Sequence, residues 1–229
     1  FYLPFRSDNI LYFETPLMPK KIYILLIFSL VYLESAAQIN YSGQYPVKNY
    51  EKKDYSAGTQ NWDIAQSENG LVYFANNSGL LQFDGTYWKL FPISNKTIVR
   101  SLCLAEDGKI YVGGQGEIGY FLPKENGELE YHSIVFLIPE GKRNFTDVWD
   151  IEITETGVFF RTDQTVFCLY SDVISAWSFQ NQIHFLGTHS NNVFIQVGNK
   201  EIWDYHMGEF RQIQKVDELT SRITGFLPT

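Results

Sequence analysis

After residue 60 the apolar positions fall in short runs, not in helical stripes. The runs are rich in β-branched and aromatic residues and are separated by Gly, Asn, Asp and Ser, the pattern of strands joined by tight turns. No stretch after residue 40 sustains a helical period. A repeat organises the runs. Gly70, Gly108 and Gly157 each follow polar residues and precede an apolar strand (Leu71–Phe74, Lys109–Val112, Val158–Phe160), and Asn192 holds the same slot before Val193–Ile195. Gly or Asn in that slot is expected to supply the positive φ of a hairpin turn. Third strands are expected over Leu80–Phe83, Ile118–Phe121, Val166–Tyr170 and Ile202–Tyr205. Fourth strands are expected over Trp88–Phe91, Leu129–His132, Ala176–Phe179 and Phe210–Ile213, with turns at Asp84-Gly85, Asn126-Gly127, Ser171-Asp172 and Met207-Gly208. Four antiparallel strands per ~40 residues is the period of a propeller blade. The expected fold is all-β: four-stranded antiparallel meanders over residues 61–229, forming a partial propeller of about four to five blades, with a fifth copy opening at Ile223.

Ahead of that region the pattern changes. Met18-Pro19-Lys20-Lys21 is a short basic start, Ile22 to Leu33 is continuously apolar, and Ser35-Ala36-Ala37 offers small residues before Gln38. This order is that of a secretory signal peptide over residues 18–37, and the apolar run is shorter than the ~20 residues of a membrane span. Residues 1–17 then read as a non-native upstream extension, and 38–60 as a lead-in segment. The mature chain is expected to be exported. The chain is 45% hydrophobic and 17% aromatic with a formal net charge of −8, a globular and acidic composition. Without a Lys/Arg cluster, direct nucleic-acid contact by this segment is not expected. Cys103 and Cys168 sit in apolar runs and read as small buried hydrophobes, with a disulfide left open for an oxidising compartment.

Gly114, Gly116 and Gly119 spell G-x-G-x-x-G, a dinucleotide fingerprint only where a strand precedes it and a helix comes after. Here Tyr120-Phe121-Leu122-Pro123 and Asn126-Gly127 come after, which is a strand and a turn. The glycines are explained by tight loops and close strand packing. The four histidines, His132, His184, His189 and His206, are scattered, and no zinc-hydrolase or nucleophile-elbow pattern occurs. No cofactor, metal or catalytic residue is implied. At a constant offset ahead of the four turn anchors stand Trp62, Arg100, Trp149 and His184, with Asp63 and Asp150 next to the tryptophans. Two readings stand for the tryptophans: inter-blade packing, which their repetition favours, or contact with a sugar face. Asn76, Asn77, Gln115 and Glu117, in loops after second strands, are further candidates.

The stretch Tyr55 to Gly85, YSAGTQNWDIAQSENGLVYFANNSGLLQFDG, resembles the first blade of the two-component regulator propeller proteins of Bacteroidetes-type bacteria. Thr97–Leu102 and Gly108–Phe121 look like the second. The resemblance implies a periplasmic propeller array followed by a sandwich with a triple-tyrosine motif, a membrane helix, and a kinase or a LuxR-type helix-turn-helix output. The present chain would then be the N-terminal piece of a longer product. Its implied role is that of a non-enzymatic, ligand-sensing propeller segment of a membrane-spanning regulator. Its partners would be an oligosaccharide or small polar ligand, the remaining blades and output domain, and a second copy in a homodimer. A ligand site would draw on Trp62, Asp63, Arg100, Gln115, Glu117, Trp149 and Asp150. A secreted propeller enzyme acting on polysaccharide and a protein-interaction scaffold remain as alternatives.

Overall fold

The computed structural model describes Pro19, Lys21, Ile22, residues 47–215 and residues 222–225. The upstream extension, most of the expected signal peptide and the end of the fifth copy lie outside these residues. Among the described residues no helix is long and apolar enough to cross a membrane. The chain divides into two compact units, 1–49 and 50–229, and every strand belongs to the second.

Four four-stranded sheets succeed one another, each an antiparallel meander in chain order. The first holds β1 (Asn61–Gln66), β2 (Val72–Asn76), β3 (Gly79–Phe83) and β4 (Trp88–Phe91). The second holds β5 (Val99–Leu104), β6 (Ile110–Gly114), β7 (Ile118–Pro123) and β8 (Leu129–Ser133). The third holds β9 (Asp150–Thr154), β10 (Gly157–Arg161), β11 (Thr165–Tyr170) and β12 (Val173–Ser178). The fourth holds β13 (Ile183–His189), β14 (Asn192–Val197), β15 (Glu201–His206) and β16 (Glu209–Lys215). The first strands of successive sheets touch: β1 meets β5, β5 meets β9, and β9 meets β13. Each sheet is therefore a blade with its first strand innermost.

The blades read as continuous apolar runs because both faces of each middle sheet are buried. On β6, Ile110 and Val112 face blade 1 while Tyr111 faces blade 3. On β10, Val158 and Phe160 face blade 2 while Phe159 faces blade 4. Period-two alternation thus sends neighbours to two different apolar interfaces, and neither needs polar residues. The longer gap between the second and third blades is an insertion with two single 3₁₀ turns, at Val135–Leu137 and Glu140–Lys142. It is anchored by Ile134, Ile138 and Val148, all buried in the interface between blades 2 and 3. Before blade 1, a one-turn helix α1 (Lys52–Tyr55) packs beside β4, and Tyr50 and Tyr55 lie against Trp88.

One turn expectation needs correction. Asn192 is the first residue of β14, and the positive φ values fall on Ser190 (48°) and Asn191 (62°), a two-residue hairpin loop of the same kind as Ser171-Asp172. Gly157 also opens a strand, β10, but has the expected positive φ (138°), and a Cβ there would lie 2.6 Å from Cys168 Sγ. The G-x-G-x-x-G glycines sit at a strand end, a turn and mid-strand: Gly114 closes β6, Gly116 turns with φ +65°, and Gly119 lies in β7. A strand, β7, and not a helix directly continues the motif, so the nucleotide reading has no site there. Both cysteines are free, and burial pushes their thiols up, to about 11 for Cys103 and about 12 for Cys168.

Gly113 offers a test of the inter-blade fit. A Cβ there would lie 2.6 Å from both Ser101 Oγ and Val148 Cβ. Gly113→Ala is expected to lower the melting temperature by about 2–12 °C, the effect of about 1–3 kcal/mol of overpacking in a chain of this size. Gly141→Ala, which meets nothing within 4 Å, is the control. Equal melting temperatures for the two variants, read by circular dichroism, would contradict this packing.

Candidate functional site

The inner strands carry one irregularity at the same place in three blades. Register shifts by one residue between Asn61 and Asp63, between Val99 and Ser101, and between Ile183 and Phe185. The extra residues are Trp62, Arg100 and His184. In blade 3 the equivalent Trp149 stands just before β9, and its N–H donates to Arg161 O while Asp150 pairs with the same Arg161. A β-bulge re-aims the side chain of its extra residue. Here it turns four side chains from four blades toward one end of the central axis.

There they line one cavity of about 620 Å³, together with Asp63, Asp150, Glu152, Thr188 and residues 222–225. Arg100 is its keystone. Its guanidinium carbon lies 3.9 Å from the Trp62 ring centre and 5.0 Å from that of Trp149, and the two rings meet edge to face at 6.2 Å. Neither tryptophan belongs to the apolar clusters between blades, and Trp62 is 41% exposed. The tryptophans thus meet across blades through a cation–π clamp on Arg100 at the cavity, outside the apolar clusters. Each indole is pinned from behind: Trp62 Nε1 donates to Asn77 Oδ1 at 2.6 Å and Trp149 Nε1 to Asp163 Oδ1 at 3.1 Å. Arg100 Nε donates to Asp147 Oδ1 at 3.0 Å, and its buried Nη1 has no hydrogen-bond partner among the described residues. The buried His184 Nδ1 has none either.

The two aspartates do structural work. Asp63 Oδ2 accepts the Leu102 N–H of blade 2 at 2.9 Å, and Asp150 Oδ2 accepts the Leu186 N–H of blade 4 at 3.2 Å as well as Arg161 Nε. In blade 2 the same position is Ser101, whose Oγ donates to Val148 O of the next blade at 2.9 Å. These side chains clip each inner strand to the next. Gln115 is exposed; its backbone bridges Asp147, so it stands behind Arg100 and does not line the cavity. Glu117 is buried, and its carboxylate accepts Ser133 Oγ and Tyr131 OH within blade 2, away from the cavity. Asn76 is buried and holds the lead-in chain through Gly58 and Gln60.

Sequence reasoning passed over Glu152, Asp147, Thr188 and Arg222. Glu152 had a signal: the same inner-strand position is Ala65, Cys103 and Gly187 in the other blades, so a carboxylate there breaks a run of small residues. Burial raises the Glu152 carboxyl above its ordinary range, the Thr188 hydroxyl opposes this, and the Asp150 and Asp63 carboxylates add to it. Burial, then Arg222 and Arg161, hold the His184 imidazole below its ordinary range. The cavity lining thus combines the carboxyl groups of Asp63, Asp150 and Glu152 with the Arg100 guanidinium and a His184 imidazole held toward its neutral form. No group of three or more His, Cys, Asp or Glu among the described residues could hold a metal ion.

Known structures match this arrangement of blades. The fold is a β-propeller. Virginiamycin B lyase from Staphylococcus aureus is similar over 71% of this chain and 58% of its own, at 14% identity and a TM-score of 0.55. The extracellular domain of a putative hybrid two-component system from B. thetaiotaomicron is similar over 76% of this chain and 25% of its own, at 14% identity and a TM-score of 0.53. A second such extracellular domain from B. thetaiotaomicron matches 69% of this chain and 22% of its own, at 18% identity and a TM-score of 0.51. The propeller thus spans less than two thirds of each of these chains. At such identities the likeness establishes the fold alone. No protein-family model and no curated protein matches the chain.

Glu152 supplies a prediction. A carboxyl whose folded pKa lies above its unfolded value near ~4.3 favours the folded state only while protonated. Its contribution is full below that value and is lost as pH rises through the raised one. Glu152→Gln is therefore expected to raise the melting temperature at pH 7 and to match the wild type near pH 4. A lower melting temperature for the variant at pH 7 would show that the charged carboxylate is stabilising.

Proposed function

We propose that this propeller is the ligand-sensing part of an exported, membrane-anchored signal-transduction protein and that it binds an oligosaccharide or small polar ligand at the axial cavity. The observation that carries the reading is the clamp of Arg100 between Trp62 and Trp149, three residues from three blades at the rim of one polar cavity. Aromatic rings beside charged donors and acceptors are the equipment of sites for hydroxylated ligands. Two further observations support the setting. The neighbours include extracellular domains of two-component systems, and residues 18–37 carry the order of an export signal. The output module, a LuxR-type helix-turn-helix or a kinase, is proposed on the sequence resemblance. A ligand shifts such a protein only by binding one arrangement of blades better than another. The Asp63 and Asp150 clips give that shift a physical basis, because a ligand touching them competes with bonds that join neighbouring blades.

A second reading, an enzyme acting on polysaccharide, draws on one observation: Glu152 is a cavity carboxyl with a raised pKa, the property of a general acid. Incubation with polysaccharides separates the two. Under the sensor reading the ligand is recovered uncleaved, and under the enzyme reading it is shortened and Glu152→Gln stops the shortening.

Binding is tested by calorimetric titration of the purified chain with a panel of neutral and acidic oligosaccharides. At least one is expected to bind, and Trp62→Ala or Trp149→Ala is expected to weaken it about two- to twelvefold, given the ~0.5–1.5 kcal/mol that an aromatic contact contributes. Binding that survives both substitutions would place the ligand elsewhere.

A further inference from the structure

The polar side chains of the cavity differ in how fully their hydrogen-bonding capacity is used. Of its acids, Asp63 is held by the Leu102 N–H, Asp150 by Arg161 and the Leu186 N–H, and Glu152 by Thr188. Arg100 is different. Its side chain is only 12% exposed, and Asp147 takes Nε alone. The two indoles flanking the guanidinium offer π faces but no lone pairs. The buried Nη1 donor has no acceptor among the described residues, and the same is true of Nδ1 on His184. A buried guanidinium N–H without an acceptor costs more than a neutral donor in the same position, and its best match is an ionised oxygen.

We propose that the ligand of this cavity is a sugar acid, a uronate-containing oligosaccharide whose carboxylate is held by the Arg100 guanidinium. This rests on the reading of the axial cavity as the ligand site and narrows it. The guanidinium has hydrogen-bonding capacity left for the carboxylate, because Asp147 takes Nε and Nη1 has no partner among the described residues; Nη1 is closed to solvent, so a small shift of the side chains around it accompanies binding. His184 lines the same cavity, and a turn of its ring brings the unpartnered Nδ1, in its protonated tautomer, to a second oxygen of the ligand. A neutral imidazole, which burial and then Arg222 and Arg161 favour, does this without adding a charge. The rest of the ligand is argued from the rest of the wall. Trp62 leaves 41% of its surface exposed beside the clamp, which suits the C–H face of a pyranose ring. Glu152, Thr188 and Thr224 line the other side and pair with hydroxyls. A small carboxylic acid alone would leave that side unused, and about 620 Å³ is a volume that holds more than one.

The test compares ligands that differ only at the carboxylate. Trisaccharides of glucuronate, galacturonate and mannuronate are each titrated into the chain by calorimetry, beside their methyl esters and simple monocarboxylates such as acetate. At least one free acid is expected to bind about tenfold or more tightly than its ester, the difference expected of one charge-assisted hydrogen bond. Arg100→Lys, which keeps a cation beside Asp147 but removes the forked donor, is expected to bring acid and ester to within about threefold. Equal affinity of acid and ester in the wild type overturns the proposal and leaves a sugar site standing. An unchanged preference in Arg100→Lys overturns it too, since the carboxylate then sits elsewhere. Acetate binding as tightly as the trisaccharides overturns the sugar part. If no saccharide binds at all, the reading of the cavity falls along with the proposal. The acid-to-ester comparison needs only wild-type protein, so a poorly folding variant does not spoil it.

Discussion

The inner edge of every blade is a row of backbone groups that no fifth strand pairs, and side chains from the neighbouring blade take over part of that pairing. Asp63 reaches Leu102 N–H, Ser101 reaches Val148 O, and Asp150 reaches Leu186 N–H. Each bond joins consecutive inner strands where the apolar interfaces end. An open strand edge is costly when buried and adhesive when exposed, so a fold that gathers four such edges near one axis depends on these clips. They also explain the absence of a side chain at Gly113, which leaves room for the Ser101 and Val148 contact.

The bulges beside the clips create the site. With the extra residue spliced in, Asp63 can turn to the next blade while Trp62 turns to the axis, although the two are adjacent in sequence. The same division of labour holds for Ser101 and Arg100, and for Asp150 and Trp149. One local irregularity therefore both ties neighbouring blades and lines the cavity. Because the clipped residue is the immediate neighbour of the lining residue, the lining is held by covalent geometry to the seam between blades. Under the sensing role proposed above, a ligand that moves one moves the other, which is the coupling that role requires.

The polar groups of the cavity are held under strain. Burial first, then the Asp150 and Asp63 carboxylates, raise the Glu152 carboxyl against the pull of Thr188. Arg100 is paired with Asp147 through Nε, and its Nη1 has hydrogen-bonding capacity left unused among the described residues. Protein sites that bind polar ligands commonly keep such unspent electrostatic energy, because a site satisfied by its own side chains has nothing left to offer. The chain's acidic balance, a formal net charge of −8, says nothing of this local arrangement.

What the sequence determined by itself was local. The short β-forming runs Leu80–Phe83 and Trp88–Phe91, and turn chemistry at Asp84-Gly85 or Asn126-Gly127, depend on neighbours a few residues away, so the blade period and the repeated offset of Trp62, Arg100, Trp149 and His184 were legible. What those four residues face was not. A single extra residue per inner strand reverses the side of the sheet a residue points to, and apolar alternation does not mark where that residue is inserted. The tertiary structure alone decided that Asp63 and Asp150 clip blades, that Glu117 is consumed by Tyr131 and Ser133, and that Asp147 braces Arg100 from 47 residues away. Pairings over such separations arise from how blades stack about an axis, and stacking is a property of whole sheets that no window of sequence contains.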